Sequence, residues 1–462
     1  MLHVSWRGME TGKFFHKSPF IWLAWRRDGV QAVRVMLDIR VIRENPEGVK
    51  ARLKPRSGDA WKLVDDVLAC DEARRNAETE KQALQSERNA TSKQIGMLMR
   101  EKKTEEAEKV KAQVNADAER LAEIEKEEGE VSEQLKKVMM AIPNIISPET
   151  PIGKDDSENV EGQRFLEPKV PDFEVPYHLD ILEKLEGIDI DSARRTSGQG
   201  FYYLTGDVAR LHSAVLAYAR DFMIGKGFTY CIPPFMIRSD VVSGVMSFEE
   251  MDGMMYKIEG EDLYLIGTSE HSMIGRFMGQ TIDESKLPLT LTSYSPCFRK
   301  EKGAHGIEER GIYRIHQFEK QEMIVICKPE ESAEWYDKMW HYTVELFVSM
   351  GIPVRTLECC SGDLADLKYR SVDVEAWSPR QKKYFEVGSC SNLTDAQARR
   401  LNIRYKSGKG TAFAHTLNNT VVAPPRMLIA FVENHLRADG SVEIPEVLWP
   451  YMGGTKEIAP KK

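Results

Sequence analysis

The 462-residue sequence has little cysteine, no surplus of positive charge and no long apolar run. Its seven cysteines contain no C-x-x-C pair, which argues against a disulfide framework and against a cysteine-rich zinc site. Reduced thiols in a cytoplasmic protein, and no zinc, are the expectation. A net charge of −8 excludes a generally basic nucleic-acid coat, while leaving room for a local basic face. The longest apolar candidate, Pro19 to Trp25, falls far short of the ~18 residues that cross a bilayer, so no membrane partner is expected. Neither G-x-x-x-x-G-K-[ST] nor G-x-G-x-x-G occurs, so a P-loop or a dinucleotide fold has no support.

What is present is length and charge. The chain is long enough for about three average domains, and 29% of its residues are charged. Residues 1–35 stand apart from the rest. Arg7, Lys13, Lys17, Arg26, Arg27 and Arg34 face only Glu10 and Asp28, with Phe14, Phe15, Phe20, Trp22 and Trp25 interleaved. A targeting segment would need a longer apolar stretch and a small-residue cleavage site. The segment reads instead as non-native or disordered upstream sequence, with a regular pattern opening at Met36-Leu37-Asp38.

From Leu63 to Leu98 a 4-3 spacing runs unbroken through Val67, Cys70, Arg74, Ala77, Lys81, Leu84, Arg88, Thr91 and Ile95. A second run takes Val110, Val114, Asp117, Leu121, Ile124, Glu128, Val131, Leu135 and Val138. Sustained 3.5-residue periodicity in two runs, with a polar break at 100–104, predicts an antiparallel coiled-coil hairpin closed by Pro143 and Pro148. Arg74, Lys81 and Arg88 share one heptad position. Two readings fit them: stems that pack while the heads reach water, or a basic row for a polyanion.

From about Ser147 the periodicity changes to short strand-like runs, helices and Gly/Pro punctuation, which predicts an α+β domain. Leu211–Ile224 reads as an amphipathic helix, and Pro233-Pro234 after Thr229-Tyr230-Cys231-Ile232 marks a strand end or an edge. Leu291–Phe298 alternates as a strand and runs into Arg299-Lys300-Glu301. A glycine-bearing loop over Lys302–Tyr313 follows, and then a second strand over Arg314–Ile326. Alternation places Arg314, His316, Phe318, Lys320 and Glu322 on one face, and Arg299 with Glu301 on one face of the partner strand. Such a face suits either an exposed network of ion pairs or an anionic ligand with a flat base. Glu386 and Ser389, three apart, offer a carboxylate and a hydroxyl to a hydrated Mg²⁺. His415–Thr420 followed by Pro424-Pro425-Arg426 reads as strand, turn and helix start, with an arginine placed for a phosphate.

The ordered set Phe298-Arg299-x-Glu301, the loop, Arg314-x-His316-Gln317-Phe318-x-Lys320-x-Glu322 and a late Arg426 resembles the class II aminoacyl-tRNA synthetases. Thr268-Ser269-Glu270, the helical hairpin and Glu386-Val387-Gly388-Ser389-Cys390-Ser391-Asn392 narrow the resemblance to the seryl-tRNA synthetase family, over Met36 to about Glu457. The resemblance implies a tRNA-binding hairpin over 36–146 and a catalytic domain over 147–462, built on a mainly antiparallel sheet flanked by helices. It implies ATP-dependent activation of L-serine and transfer to tRNA(Ser), and to tRNA(Sec) where present, by a homodimer whose interface includes Pro233-Pro234. Serine would be met by Thr268, Ser269, Glu270, Arg299, Glu322, Asn418 and Thr420. ATP would be met by Arg299, Lys300, Glu301, Arg314, Ile315, Phe318, Glu386, Val387, Gly388, Ser389 and Arg426. Arg299, Glu301 and Arg426 would serve the chemistry, Glu386 and Ser389 would hold Mg²⁺ with ATP, and Arg74, Lys81 and Arg88 would contact tRNA. Asn418-Asn419-Thr420-Val421 resembles the archaeal and eukaryotic branch, Thr420 keeping a hydroxyl and adding a methyl. Two rivals carry different signatures: an amino-acid:carrier-protein ligase would lack the hairpin, and a non-catalytic adaptor would have lost part of the charged set.

Overall fold

A computed structural model describes residues 38–56, 58–301, 311–408 and 410–461. The segment read as 1–35, and residues 302–310 of the expected loop, lie outside the described residues.

The hairpin forms as its heptads require. Helix α1 (Leu63–Arg100) and helix α2 (Thr104–Ala141) have 38 residues each and are joined by Glu101–Lys103. Val64, Asp71 and Ala107 are buried off the heptad pattern. The heptad positions themselves are mostly covered: Val67, Asp117, Leu121, Ile124 and Val138 are buried, and nearly all the others are half-buried. Arg88 is the exception and is exposed. Asp65 and Asp66 in the first turn and Arg100 in the last complement the dipole of α1. The base is an apolar cluster in which Val64, Val67, Val138 and Ile142 meet Ile42, Val49 and Leu53 from two short helices, Ile39–Glu44 and Pro46–Leu53. Asp38 and Asn45 cap those helices through their side chains, and Pro46 sits where its missing N–H costs nothing. Asp71, 1% exposed, is held at the same place by Arg43, Arg74 and Arg75.

The second region is an eight-stranded sheet. Its strands are β1 (Val160–Phe165), β2 (Thr229–Cys231), β3 (Leu289–Phe298), β4 (Gln317–Cys327), β5 (Val354–Glu358), β6 (Arg370–Ser378), β7 (Lys383–Thr394) and β8 (His415–Val422), in the order β1-β5-β6-β7-β8-β4-β3-β2. All the pairings are antiparallel except β2 with β3. The sheet is therefore mainly antiparallel, and the strand before Pro233-Pro234 is an edge, as the prolines demand. One face is closed by three helices, α3 (Gly206–Gly225), α5 (Ser332–Ser349) and α6 (Pro424–Asn434), over Met323, Val325, Val372, Val374, Leu417 and Val421. On the other face a short helix, α4 (Ser269–Gly275), packs Met273 and Ile274 into a smaller cluster with Leu291, Ile324 and Ile326. The rest of that face stays open, and there the charged side chains collect.

The strand expected over Arg314–Ile326 begins later, at Gln317. His316 donates its backbone N–H to Gly200 O at 2.9 Å and packs its ring against Phe201. This tertiary contact takes 314–316 out of the ladder, so strand alternation does not govern Arg314 and His316.

Candidate active site

The open face holds a cavity of ≈ 490 Å³ lined by Thr268, Glu270, Arg299, Glu301, Arg314, Ile315, Phe318, Lys320, Glu322, Asn418, Thr420, Glu386, Val387, Gly388, Ser389 and Arg426, among others. Register explains the assembly. Glu322 pairs across β4 and β8 with Thr420, so Lys320, Glu322, Asn418 and Thr420 rise from the same side of two neighbouring strands. Asn419, between the last two, turns to the other side and donates to Met339 O and Thr343 Oγ1, both at 2.9 Å. Glu386 and Ser389 are three apart and would face opposite ways in a regular strand. A register shift against β6, which pairs Val374 with Gly388 and Glu375 with Glu386, inserts one extra residue and returns both to the cavity.

One end of the cavity is acidic and small. Thr268 caps α4 and donates its hydroxyl to Glu322 Oε1 at 3.0 Å. Lys320 contacts the same oxygen. Glu322 Oε2 is buried and has no partner among the described residues. Glu270 accepts from Gln397 Nε2 at 2.7 Å, and burial, with Glu322 nearby, pushes its carboxyl up to about 7. His271 is held neutral by burial beside Arg299, its pKa pushed down to about 3. An unsatisfied buried carboxylate oxygen is costly to leave unmade, and a small ligand bearing ammonium or hydroxyl donors would satisfy it.

The other end is flat and cationic. Arg299 donates its Nε–H to Gly267 O at 3.0 Å and lies 5.4 Å from the centre of the Phe318 ring. Glu301, in the left-handed region at φ 48°, accepts from Arg314 at 3.3 Å. Arg426 stacks 4.5 Å above Tyr313 and donates to Glu386 Oε2 at 2.8 Å. Pro424 and Pro425 occupy the first positions of α6 and supply no N–H, so the side chain of Arg426, rather than the helix terminus, offers the donors there. Arg426 and Lys368 outweigh burial and hold Glu386 below the usual carboxylate range. Asp373, paired in register with Ser389, is pushed up to about 7 by burial and by Glu386.

The chain matches two family profiles. One is the seryl-tRNA synthetase N-terminal domain, over residues 36–146, and the other is the tRNA synthetase class II core domain (G, H, P, S and T), over residues 255–435. A serine–tRNA ligase of Akkermansia muciniphila is 43% identical over 421 residues, 90% of this chain and 98% of that one. A serine–tRNA ligase of Pyrococcus horikoshii is 41% identical over 448 residues, 92% of this chain and 98% of that one. The chain belongs to the seryl-tRNA synthetase family. The crystal structure of the Pyrococcus horikoshii seryl-tRNA synthetase complexed with ATP superposes with a TM-score of 0.88 at 40% identity, covering 92% of this chain and 100% of that one. A cytoplasmic serine–tRNA ligase of Naegleria fowleri in complex with AMP gives 0.83 at 34% identity, covering 92% and 99%.

As a seryl-tRNA synthetase the chain is an aminoacyl-tRNA ligase of α+β architecture, with a coiled-coil hairpin ahead of a class II core. Most residues expected at its substrates converge on the cavity. Two do not line it. Ser269 is fully buried and accepts from Ser293 Oγ at 2.7 Å, because the first turn of α4 points it into the sheet. Lys300 gives its backbone N–H to Met254 O and is absent from the lining. Lys368 and Asp373 also line the cavity, without having been singled out in the sequence. Lys368 keeps its charge, since Asp373, Cys359, Glu386 and Glu270 outweigh the burial that opposes it. Its only sequence signal is a lone cation ending the mixed stretch from Ser361 to Lys368. Glu386 and Ser389 form an oxygen donor set that fits Mg²⁺, which keeps several waters and takes few protein ligands.

Proposed function

We propose that the cavity activates L-serine with ATP and that the hairpin presents tRNA(Ser) for charging. The observation that carries this reading is the unpartnered Glu322 Oε2 beside Thr268 and Glu270, at the foot of a cavity whose other end holds Arg299, Phe318 and Arg426. Glu270 and Glu322 accept from the serine ammonium and hydroxyl, with Asn418 and Thr420 alongside. Phe318 stacks on the adenine while Glu301 and the backbone at Ile315 border it. Arg299 holds the serine carboxylate and the α-phosphate, and Arg426 the terminal phosphate. A carboxylate oxygen of serine attacks the α-phosphorus, the bond to the leaving oxygen breaks, and pyrophosphate departs. The 3′-terminal hydroxyl of tRNA then attacks the carbonyl carbon of the adenylate, AMP leaves, and the adenylate phosphate takes the proton. Positioning and charge neutralisation carry both steps. Glu386 and Ser389 would hold Mg²⁺ with the nucleotide, where it offsets phosphate charge.

Arg74 and Lys81, half-buried, and Arg88, exposed, share one heptad position and would meet phosphates of the tRNA. The edge strand β2 and the exposed side chains of Ile232 and Met236 beside it suit a second copy of the chain. Seven unpaired cysteines suit a reducing, cytoplasmic setting. Serine-dependent exchange between ATP and pyrophosphate, followed by charging of serine tRNA, tests the reading. Exchange that responds to another amino acid and not to serine would overturn it.

A further inference from the structure

One wall of the cavity is held from the amino-terminal region. Every carbonyl from Leu364 to Lys368 accepts a hydrogen bond from one of two residues there. Arg56 Nη1 donates to Leu364 O and Ala365 O, both at 3.2 Å, and Arg56 Nη2 donates to Lys368 O. The backbone N–H of Asn144 donates to Asp366 O at 2.7 Å, and its Nδ2 to Leu367 O at 3.1 Å. The two residues are also joined to each other, Arg56 Nε donating to Asn144 O at 2.6 Å. Arg56 is 6% exposed and Asn144 fully buried. A planar guanidinium with five donors in a fixed fork can serve four carbonyls at once, and an ammonium cannot. The identity of Arg56 is thus specified by a segment that lies more than 300 residues away in the chain.

That segment ends in Lys368, whose side chain turns into the cavity. Its Nζ lies 3.2 Å from Ser371 Oγ and 3.3 Å from Ser389 Oγ. Cys359, Asp363 and Asp373 bring their ligand atoms within 4.8 Å of one another on the same side, an array of cation donors that the ammonium faces. Lys368 adds a third cation to Arg299 and Arg426 at the phosphate end of the cavity, where Asp363, Asp373 and Glu386 are also gathered.

We propose that Lys368 contacts the nucleotide phosphates and that Arg56 and Asn144 are positioning residues which fix its backbone, so that the base of the tRNA arm builds part of the ATP site. The inference rests on the adenylate reading of the cavity. It is tested in the full-length enzyme by KM for ATP and KM for serine in serine-dependent pyrophosphate exchange. Lys368→Met should raise KM for ATP about tenfold or more, the worth of one charge-assisted hydrogen bond, and leave KM for serine within about twofold. Lys368→Arg should recover most of the loss. Arg56→Lys should raise KM for ATP several-fold on its own and add nothing to Lys368→Met in the double variant, because both act through one group. Asn144→Ala provides the same test should Arg56→Lys lower the melting temperature too far. An unchanged KM for ATP in Lys368→Met overturns the proposal. So does an Arg56 effect that adds fully to that of Lys368, or one that raises KM for serine equally, since either marks general loosening. Wild-type enzyme without serine-dependent exchange would instead remove the reading on which the proposal stands.

Discussion

The hairpin and the cavity are both rich in charge, and they treat it differently. On the hairpin, cations at or near the surface meet carboxylates, often more than one each. Lys81 meets Glu128 at 2.9 Å and Glu125 at 3.5 Å, Arg120 meets Glu80 at 3.0 Å, and Arg74 meets Glu78 at 3.3 Å. In the cavity the charges are covered and answered incompletely: Glu322 keeps a buried oxygen without a partner, and Glu270 is pushed toward its neutral form. Saturated charge at a surface contributes little to stability and leaves the face free to exchange partners. Unsaturated charge in a pocket costs stability, and a ligand that completes it is bound selectively.

The largest effect expected from that contrast comes from separating the two regions. Replacing Thr79–Lys126 by a short turn leaves the apolar base intact, because Val64, Val67, Val138 and Ile142 lie outside the deletion. Charging of tRNA should fall by a factor of about 10³ or more, the usual scale for losing a binding surface of several kcal/mol, while exchange continues. Charging at the parent rate would show that the hairpin is not the tRNA clamp. Next comes the acidic end of the cavity. Glu322→Gln keeps the shape and removes the charge, and kcat/KM for serine should drop roughly 10²- to 10³-fold with the fold retained by circular dichroism. Undiminished exchange would mean that the unpartnered oxygen has another purpose.

The third expectation concerns pH. The Glu270 carboxyl lies at about 7, raised by burial, so below that pH the group is protonated and offers no charge to an ammonium. In the free enzyme kcat/KM for serine should therefore climb as pH rises toward 7 and level off above it. Glu270→Gln should flatten that limb, and a limb that survives the substitution belongs to another group. The smallest effect is expected on the hairpin surface. A double-mutant cycle on Lys81 and Glu128 should return little or no coupling in stability, typical of such pairs. Lys81→Ala should nonetheless weaken tRNA binding in a salt-dependent way. Equal changes in stability and in tRNA affinity would erase the distinction between the two regions.

The hairpin was legible because its information is local and repeated. Each heptad position follows from the one 3 or 4 residues before it, and the break at 100–104 falls where the chain turns. The cavity was legible wherever alternation holds, as for Phe318, Lys320 and Glu322, and wherever the family motif supplied what spacing could not. Three things escaped. The extra residue in β7 that brings Glu386 and Ser389 to one face has Gly388 as its one mark in the sequence, and a glycine inside a strand does not by itself fix where a bulge falls. The start of β4 depends on Gly200 and Phe201, over a hundred residues earlier. Lys368 and its holders Arg56 and Asn144 lie in three separate stretches, each ordinary alone, and only the closed fold makes them neighbours.

The length of α1 turns the hairpin into a lever. At 1.5 Å per residue its 38 residues span about 57 Å, so a tilt of roughly 5° at the base sweeps the tip through about 5 Å, close to the spacing of neighbouring phosphates along a nucleic-acid strand. Aim is therefore decided at the pivot. There Asp71 is clasped by arginines, Arg399 reaches Asp38 at 3.5 Å, and Arg400 grips Met140 O at 2.6 Å. A substitution at any of these would be felt less as lost stability than as a misdirected tip, and its signature would be a blurred choice among tRNAs.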